Sequence, residues 1–428
     1  MKLKNDKLSK ISYESLWKYI IRPPRDNYSE ELIGNAIFSF RGKTYVRKDY
    51  DIISSEGYNM KCSFFEPDDA DRPTKIMPVV LYLHGNSSSR LEGIGMLTEL
   101  LRRDINLFVI DFPGCGLSEG EYISLGYHES HDVKIVVDFI EKIPGVGQIG
   151  IWGRSMGAAT TMIYSHKDDR IKAICMDSPF YDFSVLAKEL VLKQIKLPVI
   201  FIEGALKIIR ITIKKKNGLD IEKLKPLDAA GKTTQPALFI HANNDELINN
   251  QHSQILLDAY KGTDKVLNRC EGKHNTRRPN KLIREIGGFF YKHLYNKMPG
   301  VKINKSIFNL KELFNEKEND IKSEDNNKTE STSENNNKDQ ETNKETNEND
   351  SNKIKLNDVS CESETGSEII FNENSFENEQ HSIQKEESHT KEMKRLSNDL
   401  TKYFEDKENQ KHNIDINNDV DEVNNNNV

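Results

Sequence analysis

A serine between two glycines, in "IWGRSMGAAT" at residues 151–160, is where residue types and spacing first suggest chemistry in this 428-residue chain. A Gly-x-Ser-x-Gly pentapeptide arises by chance in a chain of this length with a probability on the order of 0.1, so the pattern alone decides little. Its surroundings decide more. Ser155 follows the apolar run "QIGIW" and precedes "MGAATTMIYSH", the order of a strand, a sharp turn and a helix small enough in its side chains to pack close to a sheet. On such a turn Gly153 and Gly157 leave room for backbone pressed against the serine, where side chains would clash. The competing reading is a serine that merely caps a helix, which needs no partner elsewhere in the chain.

A hydroxyl becomes nucleophilic at neutral pH beside a base, and the base needs an acceptor that fixes its tautomer. Asp245, in "HANNDEL", stands just past the apolar run "PALFI", and His274, in "EGKHNTRRP", just past "KVLNRC". The chain order is then Ser, Asp, His. His84 and His241 fall within or beside strand patterns, and His128, His131, His166, His252 and His293 in or beside helical ones, which favours His274 as the base. Asp177, in "CMDSPF", also ends a strand pattern and competes with Asp245 for the acid. A tetrahedral oxyanion needs two preorganised N–H donors. The turn "LYLHGNSSSR" supplies an oxyanion-hole donor at Asn86, with Gly85 permitting close backbone approach, and the second is the N–H of Met156. This chemistry calls for no metal and no cofactor.

These residues need elements to hold them. "IFSFRGKTYVRKDYDIISSEGYNMKCSFFEP" alternates in short runs and predicts an antiparallel lead-in of two or three strands. After it, "PVVLYLHG", "NLFVIDFPG", "QIGIWGRS", "IKAICMDSP", "PALFIHAN" and "KVLNRCEG" are short apolar runs, most of them followed by helical periodicity. Strand and helix in alternation imply an α/β fold: a mostly parallel central sheet with helices on both faces and reactive groups just past the strands.

The motifs "LHGNSSSR", "DFPGCGLSEGEYISLG", "WGRSMGAAT", "DSPF", "HANNDELI" and "GKHNTRRP", spread in order over roughly residues 25–298, resemble the α/β-hydrolase fold superfamily, in its serine aminopeptidase-like and monoacylglycerol-lipase-like branch. The resemblance implies a serine hydrolase acting on esters, thioesters or amides. It also implies a cap insertion between "DSPF" and "PALFIH", here short, at about residues 180–235, so that the roof of the pocket is small. Within it, Glu203, Lys207, Arg210 and Lys214 are spaced as one polar stripe of a helix, opposite Ile202, Leu206, Ile209 and Ile213. The plain reading is a helix packed on the core with its polar edge in water. The sharper one is an apolar lid over an acyl chain, with "IKKK" meeting an anionic membrane or lipid head group.

Charge divides the chain at about residue 300. Of 61 Lys+Arg and 68 Asp+Glu, 17 and 31 lie beyond it, so residues 301–428 carry −14 and residues 1–300 carry +7. Stretches such as "NKDQETNKETNENDSNK" hold too little apolar surface to offset ordering entropy, which predicts an acidic, disordered tail behind a hydrolase domain spanning residues 1–300. Five cysteines without C-x-x-C pairing argue against a disulfide framework and for a reducing, cytoplasmic setting. No signal peptide, myristoylation site or membrane-spanning run is legible, and no recognition motif for nucleic acid accompanies the basic charge.

The expected function is cleavage of an acyl ester or thioester, lipid-like acyl groups favoured, through a Ser-Asp-His triad and an acyl-enzyme, with a small-molecule substrate and no nucleic-acid partner. The alternatives are a serine peptidase of aminopeptidase type and a non-catalytic scaffold of the same fold. Three reactive groups in chain order weigh against the scaffold, which has no need of them.

Overall fold

The computed structural model describes residues 17–18, 20–194 and 199–296 of the chain. Three strands lead in, β1 (Ile37–Phe40), β2 (Lys43–Ile53) and β3 (Asn59–Pro67), each antiparallel to the next. Arg41 and Gly42 join the first two with φ of 51° and 73°, the two-residue hairpin turn whose twist matches that of its strands. Then follow β4 (Met77–Leu83), the short helices α1 (Leu91–Ile94) and α2 (Leu97–Leu101), β5 (Asn106–Ile110), α3 (Tyr127–Ile140), β6 (Val146–Arg154), α4 (Met156–Ser165) and β7 (Ile171–Asp177). The remainder comprises α5 (Phe183–Gln194), α6 (Val199–Asn217), α7 (Leu227–Ala230), β8 (Ala237–Ala242), α8 (Gln251–Ala259), β9 (Lys265–Cys270) and α9 (Asn280–Tyr295).

Among the described residues one nine-stranded sheet runs in the order β1-β2-β3-β5-β4-β6-β7-β8-β9, parallel from β5 to β9. Every residue of β4, β5 and β8 is buried. That is why these strands read as unbroken apolar runs: both faces of the sheet are covered. Strand order reverses at β4, which pairs with β5 on one side and β6 on the other, so the loops leaving β4 and β6 open onto the same crevice.

The interval between β7 and β8 holds α5, α6, a 3-10 turn at Ile221–Lys223, and α7. On α6, Ile209 and Ile213 are buried in the apolar cluster that also contains Met156, Phe180, Phe183 and Leu186. Ile208 and Ile211, by contrast, are 51% and 58% exposed. Arg210 and Lys214 turn to Asp220, at 3.1 and 3.2 Å, and Arg210 also meets Glu222. Part of the predicted basic stripe is therefore neutralised within the insert itself. The side chains of Ile202, Glu203 and Leu206 lie outside the described residues, as does the whole of 301–428. Cys62, Cys115, Cys175 and Cys270 are buried free thiols, and Cys361 lies outside the described residues.

Candidate active site

Ser155 is the residue between β6 and α4, with φ of 50° and ψ of −112°. A non-glycine residue in that conformation is strained, and surrounding packing has to impose it. The packing is visible at the flanking glycines. A Cβ on Gly153 would run into the carbonyl of Gly157 and the hydroxyl of Thr161, and one on Gly157 into the carbonyls of Leu83 and His84. Helix α4 thus sits directly on the end of β4. The Ser155 N–H donates to the Asp177 carbonyl at 2.8 Å, pinning the turn to β7.

His274 faces this serine, its Nε2 3.0 Å from Ser155 Oγ, while its Nδ1 lies 2.6 Å from Asp245 Oδ2. A carboxylate only accepts, so Nδ1 carries the hydrogen and donates to Asp245, which leaves the Nε2 lone pair to accept the serine O–H. Asp245 is fully buried at its side chain, and its Oδ1 accepts the N–H groups of Leu247 and Ile248 at 3.0 and 2.8 Å. Burial opposes its ionisation, but the charge and hydrogen bond of His274, the His241 ring and the Ile248 N–H outweigh it and hold the carboxyl below the usual carboxylate range. By sequence alone His241 falls within a strand pattern. In the fold its Nε2 approaches Asp245 Oδ2 at 3.3 Å while donating to the Ile248 carbonyl at 3.0 Å, and its Nδ1 accepts from Ser253. It helps to seat the acid.

The rival acid, Asp177, is taken by another partner. Arg278 grips it through Nε and Nη2, with contacts of 2.7 to 3.1 Å, and both side chains are buried. Burial raises the Asp177 carboxyl, and Arg278 and Arg154 outweigh this and lower it. Other histidines are likewise engaged elsewhere. His84 donates to the Gly85 carbonyl and accepts from the Phe112 N–H, and His252 accepts from the Tyr181 N–H and faces Glu189.

The turn after β4 reaches the serine: a Cβ on Gly85 would stand 3.6 Å from that of Ser155. Among the described residues, no hydrogen-bond acceptor engages the N–H of Asn86 or of Met156. The second belongs to the first residue of α4, whose N–H has no intrahelical partner. Asn86 Oδ1 and Ser87 Oγ are buried without a hydrogen-bond partner among the described residues. Two residues that the sequence analysis left unassigned also enter the site, Arg154 and Arg278, which both donate to the His274 carbonyl. Their only sequence signal is basic charge beside a reactive residue, in "GRSMG" and "HNTRRP".

A largely parallel sheet, an elbow serine at a strand-to-helix turn and a family match to the alpha/beta hydrolase fold over residues 78–197 agree. The chain has the alpha/beta hydrolase fold. The matched family is that of the fold at large, not of a branch within it. The chain is 26% identical over 226 residues to the uncharacterized protein YqkD of Bacillus subtilis, covering 52% of this chain and 71% of that one. It is 22% identical over 215 residues to the uncharacterized protein YfhR of Escherichia coli K12, covering 49% and 68%. Among solved structures it is similar to the Pyrococcus furiosus esterase Pf2001, with a TM-score of 0.49 and 20% identity over 64% of this chain and 99% of that one. Among the described residues, no helix is long and apolar enough to cross a membrane, and no cluster of three or more His, Cys, Asp or Glu suits a metal ion.

Proposed function

We propose that the protein is a serine hydrolase that cleaves acyl esters or thioesters through an acyl-enzyme on Ser155, with lipid-like acyl groups favoured. The observation that carries this reading is the unbroken hydrogen-bonded run from Asp245 through His274 to Ser155, on a strained elbow. In the first half-reaction Ser155 Oγ attacks the acyl carbonyl while His274 Nε2 takes its proton. The imidazolium so formed is steadied by Asp245, and the N–H groups of Asn86 and Met156 receive the oxyanion, each donor contributing on the order of 10²-fold to 10³-fold in rate. His274 then gives its proton to the departing alkoxide or thiolate. In the second half, water attacks the acyl-enzyme with His274 again as base, releasing the acid and restoring the serine.

The lipid-like preference is supported by the apolar cluster that joins Met156, beside the nucleophile, to Phe180, Phe183, Leu186, Ile209 and Ile213. Each methylene buried contributes about 0.8 kcal/mol, roughly fourfold in kcat/KM. A series of p-nitrophenyl esters from four to eight carbons is therefore expected to rise steeply, with aminoacyl amides turned over poorly. A flat series, or faster cleavage of aminoacyl amides, would replace this substrate class with small esters or peptides. Peripheral contact with an anionic membrane is part of the proposal, supported by exposed Lys207, Ile208, Ile211 and Lys215 on α6. Co-sedimentation with phosphatidylserine vesicles tests it, and equal binding to neutral vesicles would count against it.

A further inference from the structure

The segment that carries His274 has no regular structure of its own. Strand β9 ends at Cys270 and α9 begins at Asn280, and between them the Gly272 carbonyl accepts the Asn244 N–H and the Lys273 carbonyl the Thr276 N–H, while the His274 carbonyl receives no backbone N–H among the described residues. Two arginines meet there, Arg154 from the end of β6 and Arg278 from the segment itself. Arg154 Nη2 donates to the His274 carbonyl at 2.7 Å and to the Thr276 carbonyl at 3.3 Å. Arg278 Nη2 donates to the same His274 carbonyl at 3.2 Å, and its Nη1 to those of Lys273 and Thr276 at 3.0 and 3.1 Å. A carbonyl oxygen has two lone pairs, and here both are met by cations.

Each arginine is anchored at its far side in a different wall of the site. Arg278 holds Asp177, the last residue of β7, whose own carbonyl accepts the Ser155 N–H. Arg154 Nη1 stands 3.4 Å from Glu92 Oε1, and Glu92 Oε2 accepts the Gly85 N–H at 2.8 Å, one residue before Asn86. The histidine segment is thereby tied to the elbow, to β7 and to the turn bearing the oxyanion donor. Arginine suits this task because its planar fork reaches several acceptors at once, and a lysine ammonium does not.

We propose that Arg154 and Arg278 are positioning residues that clamp the His274 backbone, and so set the distance from His274 Nε2 to Ser155 Oγ; this rests on the serine-hydrolase reading above. Misplacement of a catalytic group by about 1 Å lowers the rate on the order of 100-fold. Arg154 is the better probe, because it and Glu92 keep some contact with solvent, whereas loss of Arg278 strands Asp177 in the interior.

The test uses the full chain as wild type, Arg154→Met, Arg154→Lys, Glu92→Gln and the double variant Arg154→Met/Glu92→Gln. End-point labelling with a fluorophosphonate counts competent sites, and p-nitrophenyl butyrate kinetics then give kcat per labelled site and KM. The clamp predicts that Arg154→Met lowers kcat per labelled site about 10-fold to 100-fold with KM moved less than about twofold, that Arg154→Lys recovers part of this, and that Glu92→Gln adds little once Arg154 is gone. If the labelled fraction falls while kcat per labelled site stays at the wild-type value, the arginine only supports the fold and the proposal is overturned. Should Arg154→Met not fold, Arg154→Lys and Glu92→Gln decide by the same per-site criterion. Wild type that takes no label overturns the hydrolase reading, and the clamp with it, before any variant is compared.

Discussion

The two ends of the candidate site are held in opposite ways. Ser155 is fixed by chain continuity, between the last residue of β6 and the first of α4, with glycines at 153 and 157 because neighbouring backbone fills the space a side chain would need. His274 sits on an irregular segment held from afar: Arg154, 120 residues before His274, donates to the carbonyls of His274 and Thr276, and Asp177, 101 residues before Arg278, anchors that arginine. A nucleophile set by local sterics tolerates little change in nearby residues. A base set by ion pairs is sensitive to distant ones.

The comparison breaks most sharply at the reacting groups. Ser155→Ala and His274→Ala are each expected to lower turnover of a p-nitrophenyl ester by about 10⁶-fold, as removal of one member of a unit does. Asp245→Asn should cost about 10⁴-fold, because an amide in place of the carboxylate lets the imidazole take the wrong tautomer. If Asp177→Asn, in a folded protein, slows the chemistry more than Asp245→Asn, the two acids have been assigned the wrong way round.

At the histidine end, Arg278→Met should lower stability by about 3–5 kcal/mol, since it leaves the Asp177 carboxylate buried and unpaired. Thermal unfolding measures it. The same pair sets a pH dependence. Asp177 is held below the usual carboxylate range, so its contribution is present above about pH 4, the ordinary value, and is lost as pH falls towards the depressed one. The gap in Tm between wild type and Asp177→Asn should therefore be widest at neutral pH and narrow below about pH 4; a gap that grows on acidification would contradict the pairing.

At the serine end, Gly157→Ala should cost about 1–3 kcal/mol through overpacking against Leu83 and His84, with loss of activity as the elbow shifts. Gly85→Ala places its Cβ in ordinary contact and should change stability by no more than about 0.5 kcal/mol. The smallest effect is expected on α6, where Ile211→Asp, at an exposed position, should change stability by no more than about 0.5 kcal/mol. Ile209→Asp, which buries a charge, should destabilise strongly. Circular dichroism melts of the two variants compare the faces directly.

The same contrast explains what could be read from the sequence. The central strands of the parallel sheet announced themselves, because burial on both faces leaves uninterrupted apolar runs such as "PVVLYL" and "PALFI", whereas the edge strand β9 is only partly buried. The elbow was legible for a similar reason: its requirements fall within two residues of Ser155. Relations across the sheet were not. That Arg278 occupies Asp177 depends on which strand ends are neighbours, and no spacing between residues 177 and 278 encodes that. Of the apolar stripe legible on α6, Ile209 and Ile213 lie in the core, whereas Ile208 and Ile211, outside that stripe, face solvent.

The central claim is that Ser155 is the nucleophile and that His274 activates it. Mass spectrometry of the full chain after fluorophosphonate treatment tests this most directly. One adduct on the peptide containing Ser155, formed at least about 100-fold more slowly in His274→Ala and absent in Ser155→Ala, is the predicted result. An adduct on a different serine, or esterase turnover that survives Ser155→Ala, would contradict it.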